Sequence, residues 1–221
     1  MTVILVLATF LVFIALDYAL NRHRVVKTAP LAVPIARDPY GGYIEGFHVP
    51  ETLAYHPGHS WMARERKNVF RVGADEFAAA LLGKIERIDL PKPGQWIRQG
   101  QKVLSFFRNG KETEMVSPVE GEVLEANAEI LLNPAVMRQD PYVKGWLLAV
   151  HVPDEENVGR NLVPKRLLSD WMREAVGRLY GMQPALAGAV AADGGRPSED
   201  LLGGLPDAKW NEVTAEFFLT A

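Results

Sequence analysis

Three groups of side chains in this sequence have types and spacings that could do chemistry. His56 and His59 form a His-x-x-His pair, with His48 nearby. Zinc sites use histidines at related spacings, but a stable site needs a third and a fourth ligand. The chain has no cysteine, which excludes disulfides, thiolate metal sites and a cysteine nucleophile. No metal is expected. Asp75-Glu76 and Asp154-Glu155-Glu156 are acidic clusters. They read as first-turn helix charges and loop charges rather than as an acid/base pair. The third group is Asn109-Gly110-Lys111. Asn-Gly between β-like runs is a strong hairpin signal, because both central residues of a type I′ turn need φ > 0. Lys111 is then the first residue past the turn. No P-loop, dinucleotide fingerprint or nucleophile elbow is present, and no catalytic residues are expected.

The elements that must position these groups are mostly short strands. Alternating or apolar runs recur at 68–72, 85–90, 102–107, 122–126 and 146–151, separated by turn residues. That pattern predicts a mainly β domain, sandwich or barrel. Residues 74–82 are helix formers followed by Gly83, which predicts one short helix with a glycine stop. The net charge of -3 and the 48% hydrophobic content are ordinary for a folded protein. They argue against general nucleic-acid binding, which needs a basic excess or patch.

A series of motifs then resembles the glycine cleavage system H protein. Tyr55-His56-Pro57-Gly58-His59-Ser60-Trp61 is similar to the opening of that family, with His59 in its His-x-Trp motif. The stretch from Val72-Gly73-Ala74-Asp75 through Leu82-Gly83-Lys84-Ile85 resembles its first helix and following strand. Leu90-Pro91-Lys92-Pro93-Gly94 and Gly100 match its next turns. Ser117-Pro118-Val119-Glu120-Gly121-Glu122-Val123, Asp140-Pro141-Tyr142 and Gly145-Trp146-Leu147 resemble its later blocks, in family order. The resemblance implies a barrel-sandwich hybrid of lipoyl type. The two half-motifs, Pro91 to Gly94 and Pro118 to Gly121, suit two interleaved β units.

The resemblance also implies one lysine, carrying lipoate, on an exposed hairpin tip. In the family that lysine stands eight residues before the proline that here is Pro118, and the position holds Gly110. Phe107 stands where the family usually has a glutamate. Lys111 is displaced by one residue, and a one-residue shift in a strand turns a side chain to the opposite face. The expectation is therefore no cofactor, with a lipoyl group on Lys111 as the alternative.

At the N-terminus, residues 2–16 are apolar apart from Thr2 and Thr9. With the next few residues they make a helix of roughly 28 Å, about one hydrocarbon core. No basic side chain precedes the run, as a signal peptide would require. Val3, Leu7, Phe10, Phe13 and Leu16 are the expected membrane-anchor residues. Arg22, Arg24 and Lys27 follow, and the positive-inside rule places the rest of the chain in the cytoplasm, with the N-terminus outside the inner membrane.

The expected organisation is an anchor at 1–21, a Pro/Gly-rich connector at 22–54, an H-protein-like domain at 55–181 and a tail at 182–221. Pro164 should open the domain's closing helix and Gly181 end it. After an Ala/Gly-rich stretch, a last short helix should carry Trp210, Val213 and Phe217 on one stripe. These three either fold back on the domain or dock on a partner. Together the features predict a non-enzymatic accessory subunit of a multi-subunit membrane complex, of bioenergetic type, with other subunits and lipid as partners. The alternatives are a membrane-bound lipoyl carrier and a membrane-fusion-type adaptor. The adaptor would need a long helical hairpin between the half-motifs.

Overall fold

The computed structural model describes Leu11, Phe13 and residues 42–155, 158–186, 200–204 and 207–221. The chain divides into two compact units, Met1–Ala32 and Val33–Ala221. In the first, Leu11 and Phe13 are helical and exposed. Val3, Leu7, Phe10 and Leu16 lie outside the described residues, as do residues 22–41 of the connector. Among the described residues no helix is long and apolar enough to cross a membrane.

The second unit is mainly β. Its strands are β1 (Tyr43–Ile44), β2 (Phe47–His48), β3 (Ala54–Tyr55), β4 (Ser60–Arg66), β5 (Val69–Ala74), β6 (Arg87–Asp89), β7 (Trp96–Ile97), β8 (Lys102–Arg108), β9 (Lys111–Val116), β10 (Gly121–Ala126) and β11 (Trp146–His151). Its helices are α1 (Glu76–Leu82), α2 (Ala128–Leu132), α3 (Ala135–Gln139), α4 (Leu168–Met182) and α5 (Asp207–Phe218). One sheet has the order β3-β4-β5-β11-β10-β7, a second β6-β8-β9, and β1-β2 form a small hairpin. The pairings are antiparallel. Alternation sets the burial. Along β9 Thr113 and Met115 are buried, while Glu112 is exposed and Glu114 half-exposed. Both larger sheets feed one core with Leu104, Phe106 and Met115 from one side and Trp61, Val72, Leu148 and Val150 from the other.

The motif residues lock these layers together. Trp61 Nε1 donates to the Ala74 carbonyl at 3.0 Å and the Pro141 carbonyl at 3.1 Å, so the loop at 140–142 is pinned to β4 and β5. Its ring lies over Gly73, where a Cβ would come within 2.5 Å of it. Asp75 caps α1, its Oδ1 accepting from the Ala78 N–H at 2.7 Å. An acidic cap of this kind satisfies an orphan amide and complements the helix dipole.

Three boundaries differ from the sequence reading. Residues 42–54, expected as part of an extended connector with Tyr43, Ile44 and Phe47 lying against the domain or a partner, are folded into the domain, where Ile44 and Phe47 pack on the core. A turn at Glu45-Gly46, both with positive φ, closes the β1-β2 hairpin. Phe47, Val49 and Leu53 are then buried, Phe47 edge-on to Phe77 at 5.2 Å. Two short helices, α2 and α3, lie between β10 and β11, where the sequence pattern assigns no element. Gly181 does not end α4. The helix runs to Met182, and the Gln183 N–H still reaches the Leu179 carbonyl, because Gln183 and Leu186 are themselves buried against the domain. The last helix falls where the sequence places it, after Pro206.

Candidate functional site

The hairpin joining β8 to β9 has the turn that its chemistry requires. Asn109 has φ 50 and Gly110 φ 73, the left-handed pair of a type I′ turn. Both are exposed. A side chain at 110 would point into open space, with no heavy atom within 4 Å of a Cβ. Lys111 pairs directly with Arg108. Strand alternation puts Lys111 on the face shared by Thr113 and Met115, and Glu112 on the other. Thr113 and Met115 face inward, so Lys111, half-buried, belongs to the inner face and not to the projecting tip.

That inner face is covered by the C-terminal segment. Thr113 Oγ1 lies 2.9 Å from Thr214 Oγ1, whose own hydroxyl donates to the Trp210 carbonyl at 2.9 Å. Arg108 Nη1 and Nη2 donate to Asp200 at 2.9 and 3.0 Å, and Nη1 also donates to the Leu82 carbonyl at 3.1 Å. The Leu201 N–H donates to the Ala80 carbonyl on α1 at 3.0 Å. Lys102 Nζ donates to the Thr220 carbonyl at 2.6 Å. Trp210, Val213 and Phe217, the residues weighed as partner-docking side chains, are 3%, 1% and 2% exposed. They are therefore core residues of their own domain. Their stripe finds its apolar surface on β9, α1 and α4, and as free docking groups they are corrected.

A second cluster lies beneath this segment. His59 Nδ1 is 2.9 Å from Asp75 Oδ2, and both residues are buried. The His59 ring stacks on Trp171 at 4.7 Å and packs against Phe77 at 4.4 Å, with Phe217 at 5.9 Å. His59 has φ 61, a conformation that a bulky residue adopts only when its surroundings impose it. Here its N–H donates to the His56 carbonyl, and its carbonyl accepts from the Asp75 N–H. The pair thus fastens the 56–59 loop to α1 in a place sealed from solvent. The sequence assigned His59 to a motif but carried no sign that Asp75 would meet it.

His56 does not join His59 as a ligand pair. Its Nδ1 accepts from the Gly58 N–H at 3.0 Å, while His59 Nδ1 faces Asp75. Among the described residues no three His or acidic side chains are grouped to hold a metal. Burial, with the neighbouring His59 adding to it, pushes the His56 imidazole down to about 4. The acidic clusters split as well. Asp75 caps α1, the Glu76 carboxylate accepts from the His48 N–H, and Glu155 pairs with Arg64 at 2.9 Å and accepts from the Asn68 N–H. Burial raises the phenol of Tyr142, which donates to the His48 carbonyl, well above its usual range.

The glycine cleavage H-protein family model matches residues 53–174, more than half of the chain. Among curated relatives, the glycine cleavage system H protein of Bifidobacterium longum is 33% identical over 108 residues, covering 49% of this chain and 78% of that protein. The one from Klebsiella pneumoniae is 30% identical over 111 residues, covering 50% of this chain and 86% of its own length. Among solved structures, a glycine cleavage system H protein from Mycobacterium marinum aligns at a TM-score of 0.44 with 23% identity, covering 50% of this chain and 96% of that one. Through residues 53–174, this chain belongs to the glycine cleavage H-protein family.

Proposed function

We propose that this chain is a non-catalytic H-protein-type binding module that works without a lipoyl arm. The supporting observation is at the hairpin tip. The residue that projects into open space is Gly110, which has no amine. The nearest lysine, Lys111, has the register of the covered inner face. The residues at this tip do not fit a lipoyl group, whose arm must leave a rigid turn and reach other proteins. The apolar run at the N-terminus extends the proposal: a single-pass anchor in the inner membrane, with the domain on the cytoplasmic side as an accessory subunit of a membrane complex. No catalytic residue, metal or nucleic acid enters this reading.

A second reading is a lipoyl carrier of glycine-cleavage type with Lys111 modified. Family membership favours it over the first, since the curated relatives are themselves named glycine cleavage system H proteins. The adaptor reading is the weakest of the three, because β8 and β9 are joined directly by the two-residue Asn109-Gly110 turn, with no helical hairpin between them.

Intact mass of the full chain, made in a host competent to attach lipoate, separates the first two. The unmodified mass is expected, and a lipoyl adduct mapped to Lys111 would establish the carrier instead. Native mass spectrometry of detergent-extracted protein tests the accessory-subunit part. Co-purifying subunits are expected, and an isolated monomer would count against it.

A further inference from the structure

A groove of about 640 Å³ lies away from the hairpin, between the His56-Pro57 loop, residues 160–164 and the first two turns of α4. Its size is that of a small-molecule site. Its walls are held from within the domain. The Val163 N–H donates to the Tyr55 carbonyl at 2.8 Å, and Asn161 Nδ2 donates to Gln99 Oε1 at 2.9 Å. The surface inside is largely apolar, made by Pro57, Leu162, Val163, Leu167 and Trp171. Leu167, 43% exposed, offers its side chain to this apolar wall.

Two polar groups give this apolar trough a direction. His56 is only 7% exposed and lines the groove. Its Nδ1 is taken by the Gly58 N–H, so the neutral ring carries its proton on Nε2, the donor left for a ligand. Arg160, on the 3-10 turn Val158–Asn161, supplies a positive charge to the same wall. The opposite wall carries Asp170 and Glu174, both largely in solvent, Asp170 paired with Arg173 at 3.3 Å and Glu174 with Arg178 at 3.6 Å, an arginine it shares with Glu216 at 3.2 Å.

We propose that this groove binds an amphipathic monocarboxylate, its hydrocarbon body against Trp171 and Leu167 and its carboxylate on Arg160 and the His56 Nε2–H. A carboxylate suits a neutral donor and a guanidinium together, since charge-assisted hydrogen bonds to it are about twice as strong as neutral ones. At this end of the groove an ammonium would meet Arg160 and a donor-only imidazole edge, with Asp170 and Glu174 only on the opposite wall, and a neutral alcohol would gain only the apolar contacts.

The test is calorimetric titration of the detergent-solubilised full chain with hexanoate, hexylammonium and hexanol, each against its detergent blank. Saturable hexanoate binding is expected, tighter than that of the other two. Arg160→Gln should weaken it about tenfold, the equivalent of losing one charge-assisted contact. Leu167→Glu, at a part-exposed position, should weaken it by a similar factor while leaving the thermal midpoint in place. Absence of saturable hexanoate binding, equal or tighter binding of hexylammonium or hexanol, or an Arg160→Gln protein with unchanged affinity would overturn the proposal.

Discussion

Arg108 grips Asp200 through two parallel hydrogen bonds, across 92 residues of sequence. Arg108 is the last residue of β8 before the hairpin turn, and Asp200 lies in the C-terminal segment, beyond the residues that the family model matches. The side chains are 11% and 18% exposed, so the pair is largely withdrawn from water. The Gly83 backbone lies so close that a Cβ there would fall within 2.2 Å of the Asp200 carboxylate. The hairpin, the end of α1 and the C-terminal segment therefore meet at one knot.

Breaking that knot from the Asp200 side leaves Arg108 with the Leu82 carbonyl alone. Removing one partner of a buried ion pair costs roughly 3–5 kcal/mol when burial is complete. For this partly exposed pair, screening reduces the loss to about 1–3 kcal/mol. Asp200→Ala should lower the urea midpoint accordingly and raise amide exchange in α5. An unchanged midpoint with unchanged exchange would show that the segment is held by its apolar stripe alone.

The tip makes an independent prediction. Gly110 sits at φ 73, where an L side chain costs about 1–2 kcal/mol. Gly110→Ala should therefore destabilise by about 1 kcal/mol, although a Cβ there touches nothing. Gly110→Lys should pay a similar strain and place an amine in open solvent. Incubated with a lipoate ligase, that variant should become lipoylated while the parent chain does not. Modification of the parent at Lys111, or of neither protein, would contradict this account of the hairpin.

This hairpin was legible in the sequence because its determinants are local: Asn-Gly fixes the turn, and period-two alternation fixes the face of Lys111. The same holds for the short helix stopped by Gly83 and for the helix after Pro206, whereas Asp75, read as a first-turn charge, is the residue that caps α1. What was not legible is where amphipathic surfaces find their cover. The stripe of Trp210, Val213 and Phe217 is visible in the sequence, but an apolar stripe does not state whether its partner is the same chain. The β1-β2 hairpin was hidden among prolines and glycines, and Glu45, which adopts positive φ without being Gly, Asn or Asp, offered no turn signal. The meeting of His59 with Asp75 is purely tertiary, sixteen residues apart and on two elements.

His56 should make stability depend on pH. In the unfolded chain its imidazole titrates near 6.5, and in the fold burial lowers it to about 4. Between those values the unfolded state binds more protons, so stability rises with pH. The contribution is complete above about pH 6.5, shrinks as pH falls through the window, and is gone below about 4. Its upper size is about 3 kcal/mol, from 1.36 kcal/mol per pKa unit. As the pH is lowered from 7.5 to 4, denaturant midpoints should therefore fall more steeply for the parent than for His56→Gln. Parallel curves would mean that His56 does not titrate in this way.

The C-terminal helix contains one group that works against its own burial. Trp210 is 3% exposed, and its Nε1 has no hydrogen-bond partner among the described residues. An unsatisfied buried donor costs about 1–3 kcal/mol. Trp210→Phe removes that donor and loses part of a ring, and the two effects oppose each other. The net change should stay within about 1 kcal/mol. Phe217, by contrast, packs on Phe77 at 5.2 Å and near His59, with nothing to offset its loss. Phe217→Ala should cost about 3–5 kcal/mol, the usual range for deleting a buried aromatic ring. Chemical denaturation of the two variants side by side provides the check. If Trp210→Phe proves as damaging as Phe217→Ala, the indole N–H has a partner in solution, and α5 is seated more tightly than its buried atoms indicate.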